Sequence, residues 1–272
     1  MKRSKKILSI LLVLLLIFSS YLYWDYERIL VNEIELLLDG LPTEMDGFTL
    51  LHVSDLHSRE FGPMQAHLLK VLQDKSYNIV VYTGDMIDRD QKNPQPFRDL
   101  VAGIEKANEG VKQYFVTGNH EYWSGINVNK LIDELGIVNL NNKRQLLYQE
   151  ERNVWLMGIS DPHMGKPDFN SVLQGIGEND IKILLAHSPV MNKAVDLNFN
   201  LVLSGHTHGG QVRIPFVGAI VAPNQGLFPY YDKGLYKEGN TQLFISSGLG
   251  FSSIPIRLFN PAEVVLITLR KK

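Results

Sequence analysis

The longest apolar run of the chain lies near its N-terminus and has no polar face. It covers residues 7–24, close to the roughly 20 residues that a membrane-spanning helix needs. A helix buried in a soluble core fits this run poorly, because such a helix normally keeps one polar side. We therefore predict a transmembrane helix over residues 7–24, preceded by a short basic segment, residues 1–6.

Shorter runs of aliphatic and β-branched residues are distributed over the rest of the chain. Continuous apolar runs of this length are typical of strands buried on both faces. They predict strands at residues 48–53, 79–83, 114–117, 154–159, 181–186, 201–204, 243–246 and 264–269.

Helical patterns separate the earlier strands, at residues 64–75, 97–108 and 128–135. Strands that alternate with helices indicate an α/β fold. Residues 25–46 are predicted to be a connector or an opening strand. Because we find neither an internal repeat nor a low-complexity linker, we predict one catalytic domain over residues 47–272.

Charge is unevenly distributed along the chain. The formal net charge is −2, and four basic residues (Lys2, Arg3, Lys5 and Lys6) precede the apolar run, so the remainder is four charges more negative. Such an acidic body argues against sequence-independent binding of nucleic acid, which needs a basic surface. The chain contains no cysteine, which excludes disulfides, thiolate ligands and a lipoprotein anchor.

The N-terminal cluster also predicts an orientation. Basic flanks of a transmembrane helix stay in the cytoplasm, so the body is expected on the extracytoplasmic side of the cell membrane. Tyr21, Tyr23 and Trp24 at the far end suit the membrane interface. A cleaved signal peptide is the alternative. We favour an uncleaved signal anchor, because bulky residues follow the apolar core where a small-x-small cleavage site would be needed.

Potential metal ligands follow five of the predicted strands. In open α/β sheets, ligands bind at the carboxyl ends of the strands, so these residues are expected to converge on one rim. A glycine precedes three of them and fits a sharp turn out of the strand. The candidate ligands are Asp55, His57, Asp85, Asn119, His187, His206 and His208, with His120 beside them.

The types of ligand indicate which cations could bind. Carboxylate, amide oxygen and imidazole together suit Mn, Fe or Zn better than Ca, which prefers oxygen alone. In Asp55-x-His57 both side chains point to the same side of an extended segment. A carboxylate such as Asp85 could bridge two cations roughly 3.5–4 Å apart.

The ordered series of motifs resembles that of calcineurin-like metallophosphoesterases. It consists of Asp55-x-His57, Gly84-Asp85, residues 118–121 (GNHE), His187 and residues 205–208 (GHTH). The longer block at residues 205–211, GHTHGGQ, is similar to the membrane-anchored bacterial YkuE/YaeI-type branch. The resemblance implies a four-layer α/β/β/α sandwich of two mixed sheets, preceded here by the membrane helix.

The resemblance also implies roles for individual residues. Two divalent ions (Mn, Zn or Fe) would be held in adjacent sites. Asp55, His57 and His208 would bind one ion, and Asn119, His187 and His206 the other, with Asp85 between them. His120 would act on the substrate rather than bind metal, and Asp88 would orient it.

The expected activity is hydrolysis of phosphoester bonds. Two ions would lower the pKa of a bridging water from 15.7 toward about 7 and so supply hydroxide at neutral pH. An exported, anchored enzyme meets the cell envelope first, so we expect diesters or pyrophosphates, including lipid-linked ones. A phosphomonoesterase or nucleotidase and a non-catalytic metal- or phosphate-binding module are the alternatives.

Several other residues have two interpretations. His163 and Asp161 could contact substrate or be ordinary loop residues, and Arg89 and Arg257 could bind phosphate or form surface ion pairs. His52 is expected to be structural and His67 to lie on a helix surface. The aromatic segment 222–236 could form a lid or a membrane-facing lip, or it could pack on the domain.

Overall fold

The computed structural model describes residues 2–251 and 256–272, with side chains from residue 5 onward. The side chains of the basic residues Lys2 and Arg3 therefore lie outside the described part of the chain. Helix α1 (Lys2–Glu27) contains the predicted transmembrane run and continues beyond it. The most apolar 18-residue window of its segment Lys5–Glu27 has a mean hydropathy of 2.3 and contains no buried residue, so the helix is long and apolar enough to cross a membrane.

The other elements follow in chain order. The first half contains β1 (Ile29–Leu38), β2 (Thr49–Val53), α2 (Ala66–Leu72), β3 (Ile79–Tyr82), α3 (Gln95–Ala107), β4 (Lys112–Phe115), α4 (Asn119–Ser124), α5 (Val128–Glu134), β5 (Val138–Asn139) and β6 (Lys143–Tyr148). The second half contains β7 (Val154–Gly158), α6 (Phe169–Leu173), β8 (Ile181–Leu185), α7 (Met191–Asp196), β9 (Leu201–Ser204), β10 (Arg213–Ile214), β11 (Gly218–Ala219), β12 (Val221–Ala222), β13 (Gly226–Leu227), β14 (Gly234–Glu238), β15 (Thr241–Ile245) and β16 (Ala262–Lys271).

The strands form two six-stranded mixed sheets. The first has the order β1-β16-β2-β3-β4-β5, in which β2 to β5 are parallel and β16 runs antiparallel to β2. The second has the order β14-β15-β9-β8-β7-β6, in which the four central strands are parallel. Two small hairpins, β10–β11 and β12–β13, lie outside both sheets.

Alternation along the strands creates the layers. Because successive strand residues face opposite sides, Leu50 packs between the two sheets while Leu51 packs toward the helices α2, α3 and α5. In the second sheet, Leu156 faces the inter-sheet core and Met157 faces the outer core, which includes residues of α6 and α7. The predicted α/β/β/α sandwich of two mixed sheets is therefore confirmed.

The eight predicted strands are all present, with ends that differ by at most two residues. The region 25–46, for which the sequence left a connector or a strand open, contains β1. The two-residue strands β5 and β10 to β13 were not predicted. Two longer strands also escaped prediction, β6 and β14, which are the edges of the second sheet. Their side chains are largely half-buried or exposed, so neither strand produces an apolar run.

Candidate metal centre

The carboxyl ends of parallel strands from both sheets meet at one edge of the sandwich. Asp55 and His57 follow β2, Asp85 follows β3, and Asn119 begins α4 just beyond β4. The second sheet contributes the three remaining candidates, since His187 follows β8, and His206 and His208 follow β9. All seven side chains are buried, and the fold brings them together.

Four of these residues form a first cluster. Potential ligand atoms of Asp55, His57, Asp85 and His208 all lie within 4.8 Å of one another. The Nε2 atoms of His57 and His208 are 3.1 Å apart. Asp55 Oδ1 lies 3.4 Å from His208 Nε2, and Asp85 Oδ2 lies 3.5 Å from His57 Nε2.

The second cluster shares Asp85 with the first. Asp85 Oδ2 lies 3.2 Å from His187 Nε2, which in turn is 3.1 Å from His206 Nδ1. Asn119 Oδ1 approaches the same His187 nitrogen at 3.2 Å. Asp85 thus stands between two groups of donor atoms, the position that a carboxylate shared by two cations would take.

The donor atoms fit a pair of divalent cations. In two places, imidazole nitrogens face each other at 3.1 Å, yet at most one hydrogen can lie between each pair. The carboxylates of Asp55 and Asp85 are also almost completely buried, which is costly for charges that lack a compensating partner. Cations placed among these atoms would satisfy both the facing nitrogens and the buried charges.

Surrounding hydrogen bonds orient the candidate ligands. The Thr83 carbonyl can only accept, so the His187 Nδ1 at 2.7 Å carries a proton, and Nε2 is the nitrogen that would bind a cation. Ser54 Oγ donates to Asp55 Oδ2 at 2.5 Å, and the backbone amide of His206 donates to both Asp55 carboxylate oxygens at 3.1 Å. Such partners hold the side chains ready for a cation.

The backbone of the centre is strained at several non-glycine residues. Asp55, His57, Asp85, His206 and His208 all have positive φ, between 48° and 68°. Positive φ is uncommon outside glycine and concentrates at functional sites.

The glycines of the motifs serve two different purposes. Gly84 has a φ of 88°, as expected for a tight turn. Gly205 does not have positive φ, and a Cβ there would collide with Ser54 Oγ and Asp55 Oδ2. Gly118 similarly leaves space for Asp85 Oδ1. Positive φ therefore explains glycine at position 84 but not at positions 118 and 205, where glycine permits neighbouring loops to approach closely.

The charges of the imidazoles differ across the centre. Burial lowers the pKa of His57 and His187, but nearby carboxylates outweigh this effect and raise the two pKa values to about 9 and about 10. Burial prevails at His206 and lowers its pKa to about 4. A cation bound here would have to displace protons from His57 and His187, so its affinity would fall as the pH decreases.

His120 lies beside the first cluster, with Asp88 between it and His57. Asp88 Oδ2 is 3.3 Å from His120 Nδ1 and 3.4 Å from His57 Nδ1. The backbone amides of Asp90 and Gln91 donate to the other oxygen of Asp88 and fix the carboxylate. Asp88 Oδ2 hydrogen-bonds His57 Nδ1, whereas His120 Nδ1 accepts from the backbone amide of Arg89 at 3.3 Å. The orienting of His120 by Asp88 stays a prediction, supported by their 3.3 Å approach. The three side chains also form a geometrically suitable metal cluster of their own.

Sequence reasoning missed Glu121, which connects the loops of the centre. Its buried carboxylate accepts hydrogen bonds from the backbone amides of Gly118, Asp85 and Met86, at 2.7, 2.8 and 2.6 Å. Burial, together with the negative charge of Asp85, raises the pKa of Glu121 to about 7. The signal was present in the sequence, because a Glu three residues after Gly118 fits the capping position of α4.

Replacing Glu121 with glutamine is expected to lower the free energy of unfolding by about 2 kcal/mol, because the amide NH2 would face backbone donors and leave them unpaired. Urea unfolding of the full chain in detergent, followed by tryptophan fluorescence, measures this loss. Glu105→Gln is the control, since its exposed carboxylate accepts one amide from Gly110 and its loss should cost only about 0.5 kcal/mol. Equal stability of the two variants would contradict the role of Glu121.

Arg257 and Arg89, which each had two interpretations, lie in different environments. Arg257 is almost fully buried and donates to the carbonyls of Ser247, Gly250, Asn260 and Pro261, so it is neither exposed to phosphate nor a surface ion pair. It instead stabilises the loop that precedes β16. Arg89 is partly exposed and pairs with Asp90 at 3.4 Å.

The three histidines outside the motifs differ in burial and in their contacts. His52 is completely buried and bonded to Thr83 Oγ1 at 2.8 Å, which agrees with a structural role, and His67 is exposed. His163 is nearly half exposed, pairs with Asp161 at 2.8 Å and packs on Trp123. Trp123 in turn contacts His120, so these side chains form one rim of the centre.

Comparisons with known proteins agree with the motifs. Residues 48–210 match the family model described as calcineurin-like phosphoesterase. The chain is 29% identical over 239 residues to the uncharacterized metallophosphoesterase YkuE of Bacillus subtilis, covering 85% of this chain and 82% of that protein.

Two further likenesses extend the comparison. A transmembrane protein with metallophosphoesterase domain from Danio rerio is 27% identical over 263 residues, which are 89% of this chain but only 57% of that protein. The crystal structure of a dimetal phosphatase from Danio rerio is similar with a TM-score of 0.47 and 12% identity, over 75% of this chain and 88% of that one.

Proposed function

We propose that this chain, which belongs to the calcineurin-like phosphoesterase family, hydrolyses phosphodiester or pyrophosphate bonds in molecules of the cell envelope. The family makes the chain a metal-dependent hydrolase, and the bond type and substrate are our proposal. The observation that supports it best is the convergence of seven buried candidate ligands from two sheets on one edge of the sandwich.

The proposed centre holds two divalent cations. Asp55, His57 and His208 would hold one cation, Asn119, His187 and His206 would hold the other, and Asp85 would be shared, as the two clusters of donor atoms suggest. The chemistry that bound cations would supply is neutralisation of phosphate charge and activation of water. Nitrogen and oxygen donors without sulfur favour Mn, Fe or Zn as the metal.

The chain's own residues handle the proton of the leaving group. Attack of water forms a new P–O bond, the P–O bond to the leaving group breaks, and the leaving oxygen takes up a proton. His120 lies at the edge of the centre, and burial lowers its pKa. Its Nδ1 accepts from the backbone amide of Arg89 and lies 3.3 Å from Asp88 Oδ2. We propose that His120 donates a hydrogen bond or the proton to the leaving oxygen.

The location supports envelope substrates. We propose that α1 is an uncleaved signal anchor and that the catalytic domain lies outside the cytoplasm, because basic residues precede α1. The chain lacks cysteine, so a Glu109→Cys variant carries a single thiol on an exposed loop. A membrane-impermeant maleimide should label this thiol in intact spheroplasts. Labelling only after lysis would place the domain inside.

Activity assays on the full chain in detergent test the proposed reaction. After loading with Mn, Zn or Fe, the protein should hydrolyse bis-p-nitrophenyl phosphate faster than p-nitrophenyl phosphate. A preference for the monoester would favour a phosphomonoesterase or nucleotidase. Protein that binds two metals and hydrolyses neither ester would instead be a non-catalytic binding module.

A further inference from the structure

The topology places the end of α1 and the candidate metal centre at the same edge of the sandwich. Strand β1 begins at Ile29, two residues after α1 ends, and pairs in parallel with β16. Because β16 runs antiparallel to β2, the amino end of β1 lies at the edge where β2, β3 and β4 end. The candidate ligands follow those three carboxyl ends. A bilayer spanned by α1 therefore lies on the side of the domain that carries the centre.

Close contacts attach α1 to that edge without a free linker. Arg59, two residues after His57, donates to the Tyr26 carbonyl at 2.5 Å, and its guanidinium lies over the rings of Tyr26 and Phe251. Tyr26 and Phe251 themselves stack with centroids 5.2 Å apart. Asp25 is completely buried and pairs with Arg28 at 2.8 Å. The domain cannot swing away from the membrane unless these contacts break.

An open cavity connects the end of α1 with the centre. It has a volume of about 490 Å³, and its walls include Tyr26 of α1, Phe251, His57 and Asp88. A ligand in this cavity would touch both the helix that enters the membrane and the candidate ligands of the first cluster.

The two small hairpins add an apolar surface beside the same helix. Seven side chains of residues 214–230 are large, apolar or aromatic, and exposed, and Phe216 has no cover at all. Exposed apolar groups of this density mark interaction sites rather than ordinary surface. We name these seven residues the hairpin surface: Ile214, Phe216, Val217, Val221, Leu227, Phe228 and Tyr230.

The hairpin surface is continuous with both α1 and the centre. Val212 and Arg213 pair with Leu258, and the adjacent Phe259 contacts Tyr21 of α1 with centroids 5.4 Å apart. On the other side, Asn224 Nδ2 lies 2.9 Å from His206 Nε2. A molecule bound at the hairpin surface would therefore lie beside α1. When α1 spans a membrane, the molecule in that position is lipid.

We propose that the hairpin surface docks on the bilayer that α1 spans, so that the centre receives phosphoesters whose alcohol is a lipid held in that bilayer. This inference rests on the proposed function and specifies its substrate class. The hairpin side chains enter the interfacial region, as apolar faces of peripheral elements do, to a depth of about 5–10 Å. The scissile phosphate of a lipid then reaches the centre while its chains remain in the membrane.

Depth measurements test the docking independently of catalysis. The full chain, loaded with Mn, is placed in vesicles of phosphatidylcholine and phosphatidylglycerol. Phe216→Cys and Leu227→Cys each introduce one thiol for an environment-sensitive fluorophore. Leu37→Cys is the matched control, because Leu37 is also exposed but lies near the far end of β1. Lipid-attached quenchers should quench labels at positions 216 and 227 and spare position 37. Equal quenching at all three positions, or quenching of all three by an aqueous reagent alone, would overturn the docking.

Two substrates with the same leaving group test the substrate class. A diacylglycerol ester of p-nitrophenyl phosphate is incorporated in the vesicles, and bis-p-nitrophenyl phosphate is supplied in solution. The double variant Phe216→Asp/Leu227→Asp should lose about tenfold in turnover of the vesicle substrate, because charges weaken interfacial binding, with unchanged turnover of the soluble ester. Leu37→Asp should change neither rate.

The outcomes separate the two proposals. If the unmodified chain hydrolyses neither ester, the proposed function fails, whatever the fluorophores report. If it hydrolyses only the soluble ester, the function stands and the lipid substrate class is overturned. Equal loss of both activities in the double variant would mean that the hairpins support the centre itself, and would also overturn the inference.

Discussion

An Asp85→Asn variant is expected to purify with less than half of the metal bound by the unmodified chain and to lose more than about 100-fold in turnover. Replacing an outer residue that merely orients a metal ligand typically lowers metal affinity or activity 10–100-fold. Replacing a ligand that two ions share should lower them further. Elemental analysis of the full chain in detergent measures the metal. Hydrolysis of bis-p-nitrophenyl phosphate measures the turnover.

The physical reason lies in the position of the carboxylate. Asp85 Oδ2 lies within 3.5 Å of imidazole nitrogens in both clusters, and its Oδ1 accepts from the backbone amide of His120 at 2.8 Å. Asparagine keeps one oxygen for that amide, so the loop should remain folded. Its NH2 group cannot bind a cation, and the lost negative charge leaves both clusters with weaker attraction for metal.

The matched control is Asp90→Asn, which removes the same charge from a neighbouring, largely exposed carboxylate. This variant should keep its metal and its turnover. If Asp85→Asn retained two ions and full activity, Asp85 would not be shared, and the proposed division of ligands between two sites would be wrong. Thermal unfolding of both variants shows whether any loss arises from misfolding.

The candidate centre could be predicted from the sequence because of where its residues lie. Each of the seven follows an apolar strand, and the carboxyl ends of parallel strands meet at one edge of a sheet. The structure adds that the ends belong to two sheets. The local pattern does not contain that information, since Asp55 and His206 are separated by 151 residues and meet only through tertiary packing.

Other features depend on contacts that have no local signature. The pairing of β1 with β16 joins Ile29 to Ala262, which no periodicity can indicate. The position of the Asp88 carboxylate, between the imidazoles of His57 and His120, depends on the turn that follows Asp85. The edge strands β6 and β14 carry mixed polar and apolar residues and resemble loops when taken alone. Sequence patterns therefore predicted the parallel centre of each sheet better than its edges.

The exposure of the hairpins also distinguishes between two earlier interpretations of residues 222–236. Tyr231 packs with Tyr236 against the outer core, as a simple packing loop would require. Leu227, Phe228 and Tyr230 instead remain exposed. The segment thus combines a packed base with an exposed apolar tip, an arrangement that composition alone cannot predict.

His120→Asn is expected to retain two metal ions while turnover falls by about 100- to 1,000-fold, within the range typical of general acid catalysis. His120 is buried to 6% exposure, and its Nδ1 accepts from the backbone amide of Arg89 beside Asp88, which suits a group that meets the leaving oxygen. The loss should be larger for an alkyl leaving group than for p-nitrophenolate, because a good leaving group departs without a proton. His67→Asn, which alters an exposed imidazole on α2, should change neither value.

Metal content decides between two roles for His120. His57, Asp88 and His120 are close enough to form a metal site of their own, so geometry permits His120 to be a ligand. If His120 is a metal ligand, its replacement would reduce the amount of bound metal. The loss of turnover would then be the same for alkyl and aryl esters. If His120 instead acts on the leaving oxygen, its replacement leaves the metal in place. The rate of hydrolysis then depends more steeply on the leaving group. The comparison of His120→Asn with the unmodified chain on both esters therefore tests the chemistry separately from the assembly of the centre.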